Sequence, residues 1–217
     1  MRSLITALLV AACAAGACVH ECCAQTNAAA DSASAFSFPL LFDSEEIHLR
    51  VQSDSLIVDG TYRLICNLGK GTTYIVYPFP TDPRMGAATP VRMEIRAPGG
   101  EWKRVSCSAL PRGAGLRCRV PLLAKDTLEL HAVYRQKLME NYARYIVTST
   151  RAWGRPLRSA LFLVTLPEGM ELFGASYPFA PDGENLNRYR FLAENFWPEK
   201  DIVIEWQPAE APPDSTR

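Results

Sequence analysis

From Glu46 onward, apolar side chains recur at every second position: Ile47, Leu49 and Val51, then Val58, Tyr62, Leu64 and Cys66, then Val91, Met93 and Ile95. A period of two is that of a β-strand with one face toward a core and the other toward water. Ser53-Asp54-Ser55 and the stretch Ala-Pro-Gly-Gly-Glu at 97–101 supply turn chemistry between these runs. The same alternation predicts strands over 102–107, 116–122, 128–134, 142–149, 160–166, 170–173, 189–193 and 202–206. Leu138 and Tyr142, four apart, make the one case for a helix, and a hairpin tip between two β-rich runs explains them equally well. Many short strands with almost no helix predict an all-β protein, an antiparallel β-sandwich over 45–207. It is either one elaborated sandwich or two packed β lobes, about 45–135 and 136–207. The two-lobe alternative rests on the echo of Tyr77-Pro78-Phe79 in Tyr177-Pro178-Phe179. Pro78 and Pro80 have no amide hydrogen for a ladder, so the strand that reaches Tyr77 ends there.

The segment before the strands changes where the protein is expected to work. Arg2 precedes an apolar core of Leu4, Ile5, Leu8, Leu9 and Val10, and the small residues Cys22 and Ala24 stand at −3 and −1 of a cleavage after Ala24. Residues 1–24 therefore read as a secretory signal peptide. Cys13, Cys18, Cys22 and Cys23 around His20 have the ligand types of zinc, but structural zinc sites converge donors from two sides, and here all lie in one short segment with two of them adjacent. No metal is expected. Ala14-Ala15-Gly16-Ala17-Cys18 resembles a bacterial lipoprotein signal, which makes Cys18 a lipidation candidate. Acylation would anchor the protein to a membrane, whereas simple cleavage would release it. The apolar run is too short to span a bilayer and nothing later resembles a span. Localisation is expected to be exported: periplasmic, outer-membrane-associated or extracellular. Residues 25–44 read as a flexible tether and 208–217 as a disordered tail, both from their small, polar or Pro-rich composition.

Charge narrows the partners. The chain carries 23 basic and 23 acidic residues. Loss of residues 1–24 would remove Arg2 and Glu21, so the balance persists. Neutrality without a Lys/Arg block argues against a nucleic-acid partner. Three cysteines remain in the body: Cys66, Cys107 and Cys118. In an oxidising compartment Cys107 and Cys118 are the expected disulfide, because they flank the turn-rich Ser108–Arg117. Cys66, within an alternating run, reads as a buried small hydrophobe.

Candidate chemistry is sparse. His48 and His131 lie in strand runs on the side opposite the apolar residues, so both are expected to face solvent. No strand–Gly-x-Ser-x-Gly–helix elbow accompanies them. Glu45 and Glu46 are adjacent, point to opposite faces and cannot flank one glycosidic bond; they read as a solvated strand entry. No phosphate loop is present, and Pro181-Asp182-Gly183-Glu184-Asn185 has a calcium turn's oxygens but reads as an ordinary turn. No cofactor and no catalytic residue is assigned. The richest surface candidates for binding are Trp153 and Arg155, near Arg151 and Arg158, with Tyr177 and Phe79. The alternative for Trp153 is that it caps the end of the sandwich.

The segments Thr148-Ser149-Thr150, Trp153-Gly154, Pro156 and Ser176-Tyr177-Pro178 resemble those of an exported bacterial β-sandwich domain family with no known activity. The resemblance covers residues 45–207, implies an exported non-enzymatic domain and lends no catalytic residues. The expected function is a non-catalytic exported protein that acts in binding or scaffolding at the cell envelope, with a protein or glycan partner. A carbohydrate-binding module is one alternative, and an enzyme using His131 or His48 is another.

Overall fold

The alternation is realised as fourteen strands in the computed structural model, which describes residues 39–209 apart from 68, 124, 125 and 184. The expected signal peptide, the lipidation candidate Cys18, most of the expected tether and residues 210–217 of the tail lie outside the described residues. The strands are β1 Leu40–Val51, β2 Ser55–Cys66, β3 Gly71–Pro78, β4 Met85–Arg96, β5 Lys103–Arg104, β6 Ser106–Ala109 and β7 Gly115–Leu122. They continue with β8 Thr127–Leu138, β9 Tyr142–Tyr145, β10 Leu157–Thr165, β11 Met170–Ala175, β12 Ala180–Asp182, β13 Asn185–Phe196 and β14 Ile202–Pro208. β1 begins at Leu40, which is buried, so residues 40–44 belong to the strand and not to a tether.

An eight-stranded sheet runs β12-β13-β10-β1-β2-β8-β4-β5, and two three-stranded sheets run β11-β14-β9 and β3-β7-β6. Among the described strands all the pairings are antiparallel but one: β1 lies parallel to β10, with Glu45 opposite Ala160. The fold is the expected all-β sandwich, with that parallel pair at the centre of its large sheet. Strands drawn from both halves of the chain share this sheet, since β10, β12 and β13 lie after Leu138 and the others end at or before it.

The core forms where the buried parities of the large sheet meet the small sheets. β1 buries Ile47, Leu49 and Val51; β2 buries Leu56, Val58, Tyr62, Leu64 and Cys66; and β8 buries Leu128, Leu130, Ala132 and Tyr134. From the small sheets come Tyr77, Leu116, Val120, Tyr145, Ile202 and Ile204, in one continuous cluster. Cys66 is a free, buried cysteine, as its parity predicts. Cys107 and Cys118 are directly opposite on β6 and β7 and form a disulfide. Residues 135–145 form no helix: β8 runs to Leu138, and after a short turn β9 leaves to pair with β14, not with β8.

Candidate functional site

Four cross-strand neighbours form a row on the inner face of the large sheet: Ala160 on β10, Glu45 on β1, Tyr62 on β2 and Leu130 on β8. A carboxyl in the middle of that row is unusual, because a buried charge costs several kcal/mol unless it is paired. Glu45 is only 4% exposed. The expectation of a solvated strand entry fails for Glu45: it shares the inward parity of Ile47, Leu49 and Val51, whereas Glu46 on the other face is exposed.

Above the row lies a cavity of about 70 Å³. Its floor is Glu45, Tyr62 and Leu130; one wall is Ile75 and Tyr77 of β3 and the other is Tyr145 of β9. Phe42 and Trp153 close one side, and the exposed Val76 and Ser149 stand at its rim. Trp153 ends a 3-10 turn, Thr148–Trp153, whose C-cap Gly154 takes the left-handed conformation (φ 69°) that glycine adopts without strain. The start of this turn is held by Asp201, whose Oδ1 accepts from the backbone N–H of Val147 at 3.2 Å, the N–H of Thr148 at 3.1 Å and the Thr148 hydroxyl at 2.7 Å. Arg144 Nε donates to Oδ2 of the same carboxylate at 2.8 Å. Burial pushes the Asp201 carboxyl pKa up, but the hydrogen bonds from Thr148 and Arg144 outweigh it and leave it below its usual value.

Three phenols connect to Glu45. Tyr77 and Tyr62 hydroxyls are 2.6 Å apart, Tyr62 and Tyr145 hydroxyls 3.0 Å apart, and Tyr145 donates to Glu45 Oε2 at 3.4 Å. Each phenol has one hydrogen to give. With Tyr145 committed to Glu45, Tyr62 donates to Tyr145 and Tyr77 to Tyr62, so the chain of donors points at the carboxyl. Glu45 Oε1 is buried and has no hydrogen-bond partner among the described residues. Desolvation pushes the Glu45 pKa up to about 8, against a smaller lowering by the Tyr145 hydrogen bond. Burial likewise raises Tyr62, Tyr77 and Tyr145, so the phenols stay protonated through neutral pH.

The sequence-derived candidates are not brought together. Trp153 is half-buried at the cavity, its ring centroid 6.1 Å from that of Phe42. Arg155 follows Gly154 and does not line the cavity. Tyr177 belongs to another aromatic cluster, stacked on Phe191 at 5.0 Å with its hydroxyl donating to the Lys200 carbonyl at 3.0 Å. Phe79 is not a surface group: it is 4% exposed and packed against Tyr134 at 4.9 Å. β3 ends at Pro78, just before Phe79, and the Phe79 ring still enters the core.

His48 and His131 lie on the outer face of the large sheet, away from the cavity. His48 Nε2 is 2.9 Å from Glu46, and its side chain is 41% exposed. His131 departs from the expectation of a solvent-facing ring: its Nε2 is 2.8 Å from Asp59, Trp102 packs over it at 5.5 Å, and the side chain is only 16% exposed. No group of three or more His, Cys, Asp or Glu able to hold a metal ion occurs among the described residues. Sequence reasoning missed Glu45, Tyr62, Tyr77 and Tyr145 as a site. Only the parity of Glu45 signalled it.

The chain matches no protein-family model and none of the curated proteins. Among solved structures it is similar to a Legionella pneumophila protein provisionally called a nutrient binding protein, with 12% identity, a TM-score of 0.61 and coverage of 77% of this chain and 67% of that one. It is also similar to an M1 zinc metallopeptidase of Deinococcus radiodurans, with 13% identity, a TM-score of 0.48 and coverage of 78% of this chain and 43% of the peptidase. The chain thus spans less than half the length of the peptidase. The first likeness supports the fold; the second carries no argument about function. No helix among the described residues is long and apolar enough to cross a membrane.

Proposed function

We propose that this chain is an exported, non-catalytic binding protein of the cell envelope whose site is the cavity beneath Trp153. One observation carries the proposal: a buried carboxyl, one of whose oxygens has no hydrogen-bond partner among the described residues, lines an aromatic cavity in the core. An unpaired polar atom of this kind destabilises the free protein. Ligand sites are characteristically apolar pockets with a few placed polar groups, often with shifted pKa values, and Glu45 with its phenols has that form. The provisional name of the Legionella protein is in keeping with a binding role. The disulfide accords with export.

The test is a thermal-shift panel of small sugars, amino acids, amines and carboxylates at millimolar concentration. A ligand at a hundred times its Kd stabilises by about 2.7 kcal/mol, which for a chain of this size raises Tm by roughly 5–10 °C. Trp153→Leu should abolish the shift while leaving the far-ultraviolet spectrum unchanged. If no class of solute raises Tm, the proposed site is wrong.

A further inference from the structure

We infer that the cavity beneath Trp153 is a cage for the primary ammonium end of an aliphatic amine, with Glu45 as its counter-ion. The inference rests on the binding role proposed above and names the ligand class of the same site.

Five aromatic side chains line the cavity: Phe42, Tyr62, Tyr77, Tyr145 and Trp153. Ring centroids lie 5.7 Å apart for Phe42–Tyr62 and for Tyr62–Tyr77, and 6.1 Å apart for Phe42–Trp153, so the rings form a continuous wall. The negative faces of such rings attract a cation. The lining contains one acid and no Lys, Arg or His. An anion would enter without a partner of opposite charge, next to a carboxyl.

The polar atoms select among cations. Glu45 Oε1 has no partner among the described residues, while Oε2 already accepts from Tyr145. A remaining acceptor calls for an N–H donor, which a primary ammonium has and a quaternary one lacks. Size limits how much of the ligand enters. A cavity of about 150 Å³ holds benzene, so one of about 70 Å³ admits an ammonium and its first carbons. The remainder of the molecule then lies at the rim beside Val76 and Ser149.

The proton balance makes the class measurable. With its pKa raised to about 8 by burial, Glu45 is mostly protonated at neutral pH. Seating an alkylammonium ion breaks the Glu45 O–H bond, sends that proton to solvent and leaves a carboxylate that accepts from the ammonium N–H. No other reactant is needed. The groups that face Glu45 from neighbouring elements are Tyr62 of β2, Tyr77 of β3, Tyr145 of β9 and the small Ala160 of β10. All three phenols have raised pKa values, so none of them exchanges a proton over the same range.

A free small amine and a lysine side chain on another protein share this chemistry. The experiment is titration calorimetry on the intact, oxidised chain with n-butylamine, putrescine, Nα-acetyl-lysine amide, n-butanol and butyrate, in buffers of different ionisation enthalpy. Butylamine affinity should rise close to tenfold per pH unit from about pH 6 to pH 7.5, with nearly one proton released per site. Putrescine binding tighter than the lysine amide assigns a free amine as the source, and the reverse order assigns a protein lysine. Glu45→Gln, nearly isosteric and uncharged, should weaken butylamine at least tenfold and flatten the pH dependence; Tyr145→Phe, which keeps the ring, should weaken it less. Butanol or butyrate binding as tightly as butylamine overturns the cage and leaves the binding role standing. So does Glu45→Gln binding butylamine like the wild type. A flat response to these compounds and to the wider solute panel overturns both.

Discussion

Glu45 and Tyr62 are direct cross-strand partners at the centre of the large sheet, and both are buried, yet the phenol hydrogen-bonds to Tyr77 and Tyr145 and reaches the carboxyl only through Tyr145. The carboxyl is therefore desolvated without a direct charged partner, which raises its pKa. The consequence for stability follows in sign from linkage. A carboxyl whose folded pKa of about 8 lies above its unfolded value of 4.5 destabilises the fold progressively between those two limits, because the unfolded chain can ionise there and the folded chain cannot. Chemical denaturation should show wild-type stability falling by roughly 1 kcal/mol per pH unit from about pH 5 to pH 8. Glu45→Gln should remove most of that slope and be the more stable protein at pH 8. A parallel slope in the variant would show that Glu45 is not the group responsible.

Asp201 holds the turn that carries Trp153. Its carboxylate accepts from Arg144, Thr148 and the Val147 amide, and its side chain is only 8% exposed. Asp201→Ala leaves two amides and a guanidinium without their acceptor, with an expected loss of about 2–4 kcal/mol. Trp153 emission should shift to the red as the turn loosens from Phe42. Because the folded pKa of Asp201 is depressed, its contribution is present above the unfolded pKa and lost as pH falls through the folded value. Acid unfolding should therefore begin at higher pH in Asp201→Asn than in the wild type.

How much of this was legible follows from where the signal lies. Strand positions were legible because each large-sheet strand buries one parity, and Ile47, Leu49 and Val51 state it plainly. The same parity passes through Glu45, but a charged side chain at the start of an apolar run looks solvated until the sheet is assembled around it. Tyr145 lies 100 residues from Glu45 in sequence, and no local pattern encodes that meeting. The outer-face parity of His131 was correct; its partial burial comes from Trp102, delivered by a separate turn. The disulfide was readable because both cysteines flank one hairpin, so their proximity is local.

That disulfide should act locally. Cys107 and Cys118 face each other on β6 and β7, within the small sheet that also contains β3 and hence Tyr77. In the chain-entropy treatment a loop of this length contributes about 2.5 to 3 kcal/mol. Cys107→Ser with Cys118→Ser should lower stability by a comparable amount. Hydrogen exchange should accelerate first in β6, β7 and β3, leaving the β1–β2 amides protected. Equal acceleration in all sheets would mean that the small sheet does not open separately.

Gly60 provides the room that Tyr62 occupies. A Cβ at Gly60 would stand 2.7 Å from Tyr62 Cζ and 2.9 Å from Ile47 Cδ1, because the phenol lies along its own strand over the glycine. Both residues are on the inner face and buried, so neither has an easy way to yield. Gly60→Ala should therefore force the Tyr62 ring off its position, separate its hydroxyl from Tyr77 and Tyr145, and cost about 1–3 kcal/mol. If ring displacement is the cause, the damage must depend on the ring. Gly60→Ala introduced into a Tyr62→Ala background should then cost at least 1 kcal/mol less than in the wild type, a coupling that a double-mutant cycle reads directly. Additive effects would place the strain at Ile47 instead and free Tyr62 from dependence on its glycine.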